Sequence, residues 1–165
     1  MRAAVKQFIE ETIDLIEEDK WSDVAYKAET WLLDNRFIDH DMLEFWEIVR
    51  DDLDIDIFKF NDVEVVPSYY CCSADIKEIT IPARILHINR AAFMMCKDLR
   101  KVILPNTLYS IQQNAFLDTS NLTEIEFNGT LDEFKRIRLG WNAFGIAVLG
   151  RNGKKLIVKD GVINL

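Results

Sequence analysis

Apolar residues recur at helical spacing over the first third of the chain. Val5, Phe8, Ile9, Ile13 and Ile16 share one face of a helix predicted over residues 3–20, while Glu10, Asp14, Glu17 and Glu18 lie elsewhere on its wheel. Ser22 or Asp23 is placed to cap a second helix, which carries Val24, Ala28, Trp31 and Leu32 and ends near Asn35. Asp39 or Asp41 is placed to cap a third, with Leu43, Phe45, Trp46, Val49 and Leu53 on its apolar side. The period then switches from helical to alternating. Leu53-Asp54-Ile55-Asp56-Ile57 predicts a short strand, turned back at Asn61-Asp62 along Val63–Val66. Three helices and a linking hairpin are expected.

Further along, the pattern repeats itself. Ile76-Lys77-Glu78-Ile79-Thr80-Ile81-Pro82 aligns with Leu99-Arg100-Lys101-Val102-Ile103-Leu104-Pro105 and with Leu122-Thr123-Glu124-Ile125-Glu126-Phe127-Asn128, a step of 23 residues each time. The register continues through Ile85, Leu108 and Leu131, then through Ile88, Ile111 and Phe134. It closes on Ala92-Phe93 and Ala115-Phe116, read as a helical turn, and decays to Arg138-Leu139 in the third copy. Each copy predicts a short extended segment ended by a proline, which cannot donate to a further ladder bond, and then a second short segment. One copy cannot bury its apolar face, but stacked copies make a continuous core. Upstream, Val63–Pro67 and Tyr69-Tyr70 read as a truncated first copy, with Tyr70 lying 23 residues before Phe93. Downstream, Asn152-Gly153 and Asp160-Gly161 are two-residue hairpin signals between the apolar runs Ala147–Leu149, Leu156–Val158 and Val162–Leu165. They predict an antiparallel cap on the open end, where an exposed edge would otherwise invite pairing.

This arrangement resembles the BspA-type leucine-rich repeats of bacteria and their mobile elements, over residues 67–165. Cys96, three residues after Phe93, stands where that family often carries a buried cysteine, with Thr119 in its place in the next copy. Phe127-Asn128-Gly129-Thr130, Phe134 and Lys159-Asp160-Gly161 look like the family's closing unit. The resemblance implies a fold and a binding habit, and no activity. The expected fold class is α+β: an N-terminal helical module over residues 1–58, acting as a cap, then a short leucine-rich-repeat solenoid of 23-residue repeats over residues 59–165 with a C-terminal β-hairpin cap.

Charge separates the two parts. The chain of 165 residues has a net charge of −8, yet residues 1–60 hold 17 Asp and Glu against 7 Lys and Arg, and the rest is slightly basic. An acidic surface disfavours direct contact with nucleic acid or an anionic membrane. No apolar run nears the roughly 20 residues of a bilayer span, and Met1 to Lys6 leads into an acidic segment, unlike a signal peptide. Cys71, Cys72 and Cys96 are odd in number, and adjacent cysteines rarely bridge each other. A reduced, cytoplasmic compartment is the expectation.

Candidate chemistry is sparse. His40 and His87 are the only histidines, one in each part, which predicts no metal site and no cofactor. Cys71-Cys72 reads as structural, since nothing in the sequence marks a lowered thiol pKa. The run Asp51, Asp52, Asp54 and Asp56 lacks the glycine and distal glutamate of a calcium loop, and Asn128-Gly129-Thr130 reads as a turn. No phosphate-binding glycine loop, nucleophile elbow or zinc-protease signature is present.

The stacked repeat face says more. The period sets Glu78, Lys101 and Glu124 in one row and Thr80, Ile103 and Glu126 in the next, with Leu86 and Tyr109 on a neighbouring outward row. Ile103 has no structural reason to face water. A non-enzymatic protein-interaction module is therefore expected, binding a protein partner through Glu78, Thr80, Lys101, Ile103, Tyr109, Glu124 and Glu126; its oligomeric state is left open. The alternative is an acidic mimic of nucleic acid that inhibits a nucleic-acid-binding protein, with Glu10, Asp14, Glu17 and Glu18 imitating phosphates.

Overall fold

The computed structural model describes residues 1–145 and 154–164. The predicted turn at Asn152-Gly153 and the run Ala147–Leu149 lie outside the described residues. Helix α1 (Ala3–Glu17), α2 (Trp21–Leu33) and α3 (Asp39–Glu47) form the N-terminal region. Phe8 holds them together: its ring centroid lies 4.9 Å from Trp31, 5.0 Å from Phe37 and 4.8 Å from Phe45. Thr12, not Ile13, occupies the buried side of α1, because its hydroxyl donates to the Phe8 carbonyl at 2.7 Å; Ile13 faces solvent. Asp19 and Asn35 take left-handed backbone angles and stop α1 and α2, a role that Asn accepts at low cost.

The expected caps of α2 are displaced. Helix α2 begins at Trp21, so Ser22 and Asp23 lie in its first turn, and the Ser22 N–H donates to Asp62 Oδ2 at 3.0 Å. In α3, Ile38 stands at the cap position and Asp41, three residues inside, accepts the Ile38 N–H at 2.9 Å. The helix runs on into a π-helical segment, Ile48–Asp52.

The hairpin expected at residues 53–66 does not form. Asp54 adopts a left-handed φ of 53°, which breaks the extended run, and Asp56 accepts the Phe58 N–H to cap a short 3-10 turn at Ile57–Lys59. Strand β1 (Val65–Val66) pairs in parallel with β3 (His87–Ile88) instead. The alternation at 53–57 therefore serves to bury Ile57 while its acidic neighbours stay wet.

Two parallel sheets follow. One contains β2 (Glu78–Thr80), β4 (Lys101–Leu104), β6 (Glu124–Phe127) and β8 (Lys155–Val158), with Ile79 opposite Val102 and Val102 opposite Ile125. The other contains β1, β3, β5 (Ser110–Ile111) and β7 (Arg138–Leu139). Strand β9 (Gly161–Asn164) pairs antiparallel with β8; Val158 faces Gly161, so the turn is Lys159-Asp160, one residue earlier than expected.

The Ala-Phe segments are not helical turns. Ala91, Met95, Asn114 and Asp118 have φ of 55°, 61°, 57° and 58°, and this winding frees the Phe93 and Met95 N–H groups to bond Ala115 and Leu117 of the next coil, each at 2.8 Å. Phe93 stacks on Phe116 at 5.0 Å, and Phe116 on Phe144 at 5.4 Å. Cys71, rather than Tyr70, takes the place preceding Phe93 in the column, because its N–H bonds the Ala92 carbonyl as that of Phe93 bonds Ala115.

The third copy does not decay at Arg138-Leu139. Thr130 and Glu133 form a capping box that nucleates α4 (Leu131–Phe134), and Asp160 Oδ1 accepts the Leu131 N–H at 2.9 Å. The helix lengthens this coil. Arg138-Leu139 therefore pairs with Ser110-Ile111 as a strand, and Ala143-Phe144 restores the column.

Helices and repeats share one continuous core. Trp46 meets the Tyr70 ring at 5.4 Å, and the Tyr70 hydroxyl accepts the Ile57 N–H at 3.0 Å. Glu29 on α2 accepts the Ser68 N–H at 2.6 Å, the Ser68 hydroxyl at 3.0 Å and the Asn89 amide at 3.2 Å.

Candidate interaction surface

Parallel pairing in register brings six of the seven residues read as partner-binding onto one sheet face. Glu78, Lys101 and Glu124 stand side by side, as do Thr80, Ile103 and Glu126, and the rows continue to Lys155 and Ile157. Lys101 Nζ lies 2.8 Å from Glu126 and 3.9 Å from Glu124. The hydrogen bond to Glu126 is the main cause that raises the Lys101 pKa, so the ammonium stays charged within the row. Ile103 is half-buried, set between Thr80 and Glu126. Long neighbouring side chains cover part of such a residue with their apolar stems.

Tyr109 does not join them. It directly precedes β5, in the other sheet, and its N–H bonds the Leu86 carbonyl. Its ring, about half exposed, lies 4.8 Å beneath the Arg138 guanidinium and meets the His87 ring edge-on at 5.6 Å. Ile103 and Tyr109 therefore belong to two different faces, because the chain turns at Pro105-Asn106-Thr107 between them.

Glu10, Asp14, Glu17 and Glu18 are all exposed on or beside α1. Glu10 lies 3.9 Å from Lys6, and Glu18 lies 2.5 Å from Lys20. Part of the acidic row is thus neutralised by lysines on or just beyond the same helix. Asp51 is held by Arg50 at 2.7 Å and Asp56 caps a turn, so half of the other acidic run has structural work.

The thiols are enclosed. Cys71, Cys72 and Cys96 are free and buried, and Cys96 Sγ donates to the Cys71 carbonyl at 2.8 Å. Burial pushes all three thiol pKa values up, that of Cys96 to about 12. A raised thiol pKa favours the protonated form in the folded protein, so this contribution to stability is complete below the unfolded thiol value near 9 and is lost as pH rises toward about 12. Urea midpoints are expected to fall between pH 8 and pH 10.5, and Ellman's reagent is expected to label the folded protein far more slowly than the unfolded one. Fast labelling at pH 8 without denaturant would mean that the thiols are not enclosed. Cys72 does line a 310 Å³ hollow with His40, Leu43, Tyr69, Met94 and Met95. Burial outweighs the lowering influence of the Arg50 cation on this thiol, which is therefore not activated. Among the described residues no group of three or more His, Cys, Asp or Glu is placed to hold a metal, and no helix is long and apolar enough to cross a membrane.

Residues 64–138 match the BspA type leucine rich repeat region, in six copies. These residues are BspA-type leucine-rich repeats. The structure of a leucine rich cell surface protein from Faecalibacterium prausnitzii A2-165 is similar at 25% identity and a TM-score of 0.42, over 47% of this chain and 21% of that one. The chain thus spans about a fifth of that protein's length. No curated protein matches the chain. The BspA-type repeats carry both sheets as far as Arg138, and the sheet rows around Ile103 lie largely within them.

Sequence reasoning passed over a groove between the helices and the repeats. Leu33, Ile38, Leu139 and Trp141 are exposed along it, with Gln112 and Gln113 between. Leu33 falls outside the α2 apolar face and Trp141 outside the aligned copies.

Proposed function

We propose that this chain is a non-enzymatic protein-interaction module that binds a protein partner through its repeats, as leucine-rich repeats generally do. The observation that carries the reading is the rigid row of Thr80, Ile103 and Glu126 beside Glu78, Lys101 and Glu124, which offers an apolar residue framed by alternating charge. The strand registers support stacked 23-residue coils, that is, a short solenoid. In this reading residues 1–58 cap its first coil and the β8–β9 hairpin caps its last, each covering an edge that would otherwise pair with another chain. Three buried free cysteines support a reducing, cytoplasmic setting.

Capture of the partner from the native host tests the proposal. Ile103→Lys is expected to reduce capture about tenfold while leaving the free energy of unfolding within about 1 kcal/mol of wild type. Binding through this face leans on apolar burial and falls only modestly with salt. Undiminished capture by Ile103→Lys would count against the sheet face.

A second reading, the nucleic-acid mimic, draws on the exposure of Glu10, Asp14, Glu17 and Glu18 along one helix. It requires capture to weaken steeply with salt, since exposed charges are screened beyond about 8 Å at physiological ionic strength. It also requires capture to vanish when Glu10, Asp14 and Glu17 are neutralised and to be competed by DNA.

A further inference from the structure

Four large exposed apolar side chains lie along one groove that neither reading above uses. Leu33 and Ile38 stand at its helical end, 80% and 53% exposed, and Leu139 and Trp141 at its repeat end, 49% and 72% exposed. Two adjoining open hollows of 740 and 410 Å³ connect them and share Gln112 and Gln113. Groups of exposed apolar residues around a concave surface mark binding sites more often than scattered single ones do.

The floor between the two ends is made of amides. Gln112 Nε2 donates to Asn89 Oδ1 at 3.1 Å, and Asn89 Nδ2 donates to Glu29, so this row is fixed from below. The Gln113 side chain makes no hydrogen bond among the described residues and lies between the apolar ends. Gly140 lets the coils approach here, since a Cβ on it would fall 2.5 Å from the Gln113 backbone nitrogen. Primary amides both donate and accept, which suits the alternating N–H and C=O groups of an extended backbone.

The groove is also polarised. Its helical end is lined by the carboxylates Glu29 and Asp39 against one guanidinium, Arg90, which pairs with Asp39, while Glu29 meets only the uncharged donors of Ser68 and Asn89, so one negative charge is left over. Its repeat end carries Arg138. We propose that this groove binds an extended polypeptide segment, with apolar side chains at both ends seated on Leu33/Ile38 and Leu139/Trp141 and with Lys or Arg at the end that meets the helices. The inference rests on the reading of the chain as a protein-interaction module and moves the contact from the sheet face to the groove.

Fluorescence anisotropy on the full chain tests it with three short synthetic peptides. The first has apolar residues at both ends, serine and glutamine between them, and two lysines near one end. The second replaces those lysines by glutamate, and the third gathers the apolar residues in the middle. Saturable binding of the first peptide is expected, with at least about tenfold weaker binding of the other two. Leu33→Asp and Trp141→Ala should each weaken the first peptide about tenfold with unchanged circular dichroism, and Ile103→Lys should leave it unaltered. Equal binding of the glutamate peptide overturns the charge assignment and with it the proposal. Indifference to both groove variants, or loss of peptide binding in Ile103→Lys alone, overturns the groove but leaves the protein-binding reading standing. If no peptide binds, the groove fails, and capture by the Ile103→Lys variant decides the wider reading independently.

Discussion

Replacing Phe93 or Phe116 by alanine is expected to destabilise the protein by about 3–5 kcal/mol in each case. Both rings are fully buried in the column that runs on through Phe144 to Phe134. Truncation removes the transfer free energy of the ring and leaves a cavity that the coils cannot close, because their backbones are tied by the Phe93-to-Ala115 and Phe116-to-Ala143 bonds. Phe116 has a ring on either side and should be the more costly of the two. The rings touch, so the double variant is expected to lose less than the sum of the single losses. Urea unfolding followed by far-ultraviolet circular dichroism measures all three. Midpoints near wild type for both single variants would show that the column is not the core of the repeats.

Glu29→Ala is expected to cost about 2–3 kcal/mol, although Glu29 is only half-buried. One carboxylate gathers three donors: the Ser68 N–H, the Ser68 hydroxyl and the Asn89 amide. Ser68 is buried, so alanine leaves its N–H without a partner and with little access to water. Glu29→Gln keeps an acceptor and should recover part of the loss. The contact joins α2 to the first coil, and its removal should also raise amide exchange around β1 more than around β6. An unchanged thermal midpoint in Glu29→Ala would show that the helices are held to the repeats by packing alone, chiefly Trp46 on Tyr70.

Much of this fold was legible along the chain. Alternating positions such as Ile79, Val102 and Ile125 recur because parallel strands in register need like residues opposite each other, and those residues do stand opposite each other. The three helices were legible because each carries a stripe of large apolar residues at its own period. The same logic misled at Leu53–Ile57, where of the three apolar residues only Ile57 is buried and a left-handed Asp54 breaks the extended run. It misled again at the third copy, since a strict period cannot register an inserted helical turn.

The binding candidates divide in the same way. Rows within one sheet follow from spacing alone, which is why Glu78, Thr80, Lys101, Ile103, Glu124 and Glu126 share a face. The period shows that Tyr109 points outward, but which sheet an outward residue belongs to depends on the turn between strands. The groove was invisible for a stronger reason. Leu33 and Ile38 stand far along the chain from Leu139 and Trp141, and they line adjoining hollows only because Glu29, Trp46 and Arg90 dock the helices on the coils. The sequence by itself determined the repeat, its inward residues and the helical region before it, because local period and side-chain size suffice for those. The docking of helices on repeats, the realigned Phe144 and the groove were decided by tertiary structure alone, because each depends on contacts between residues that no local pattern relates.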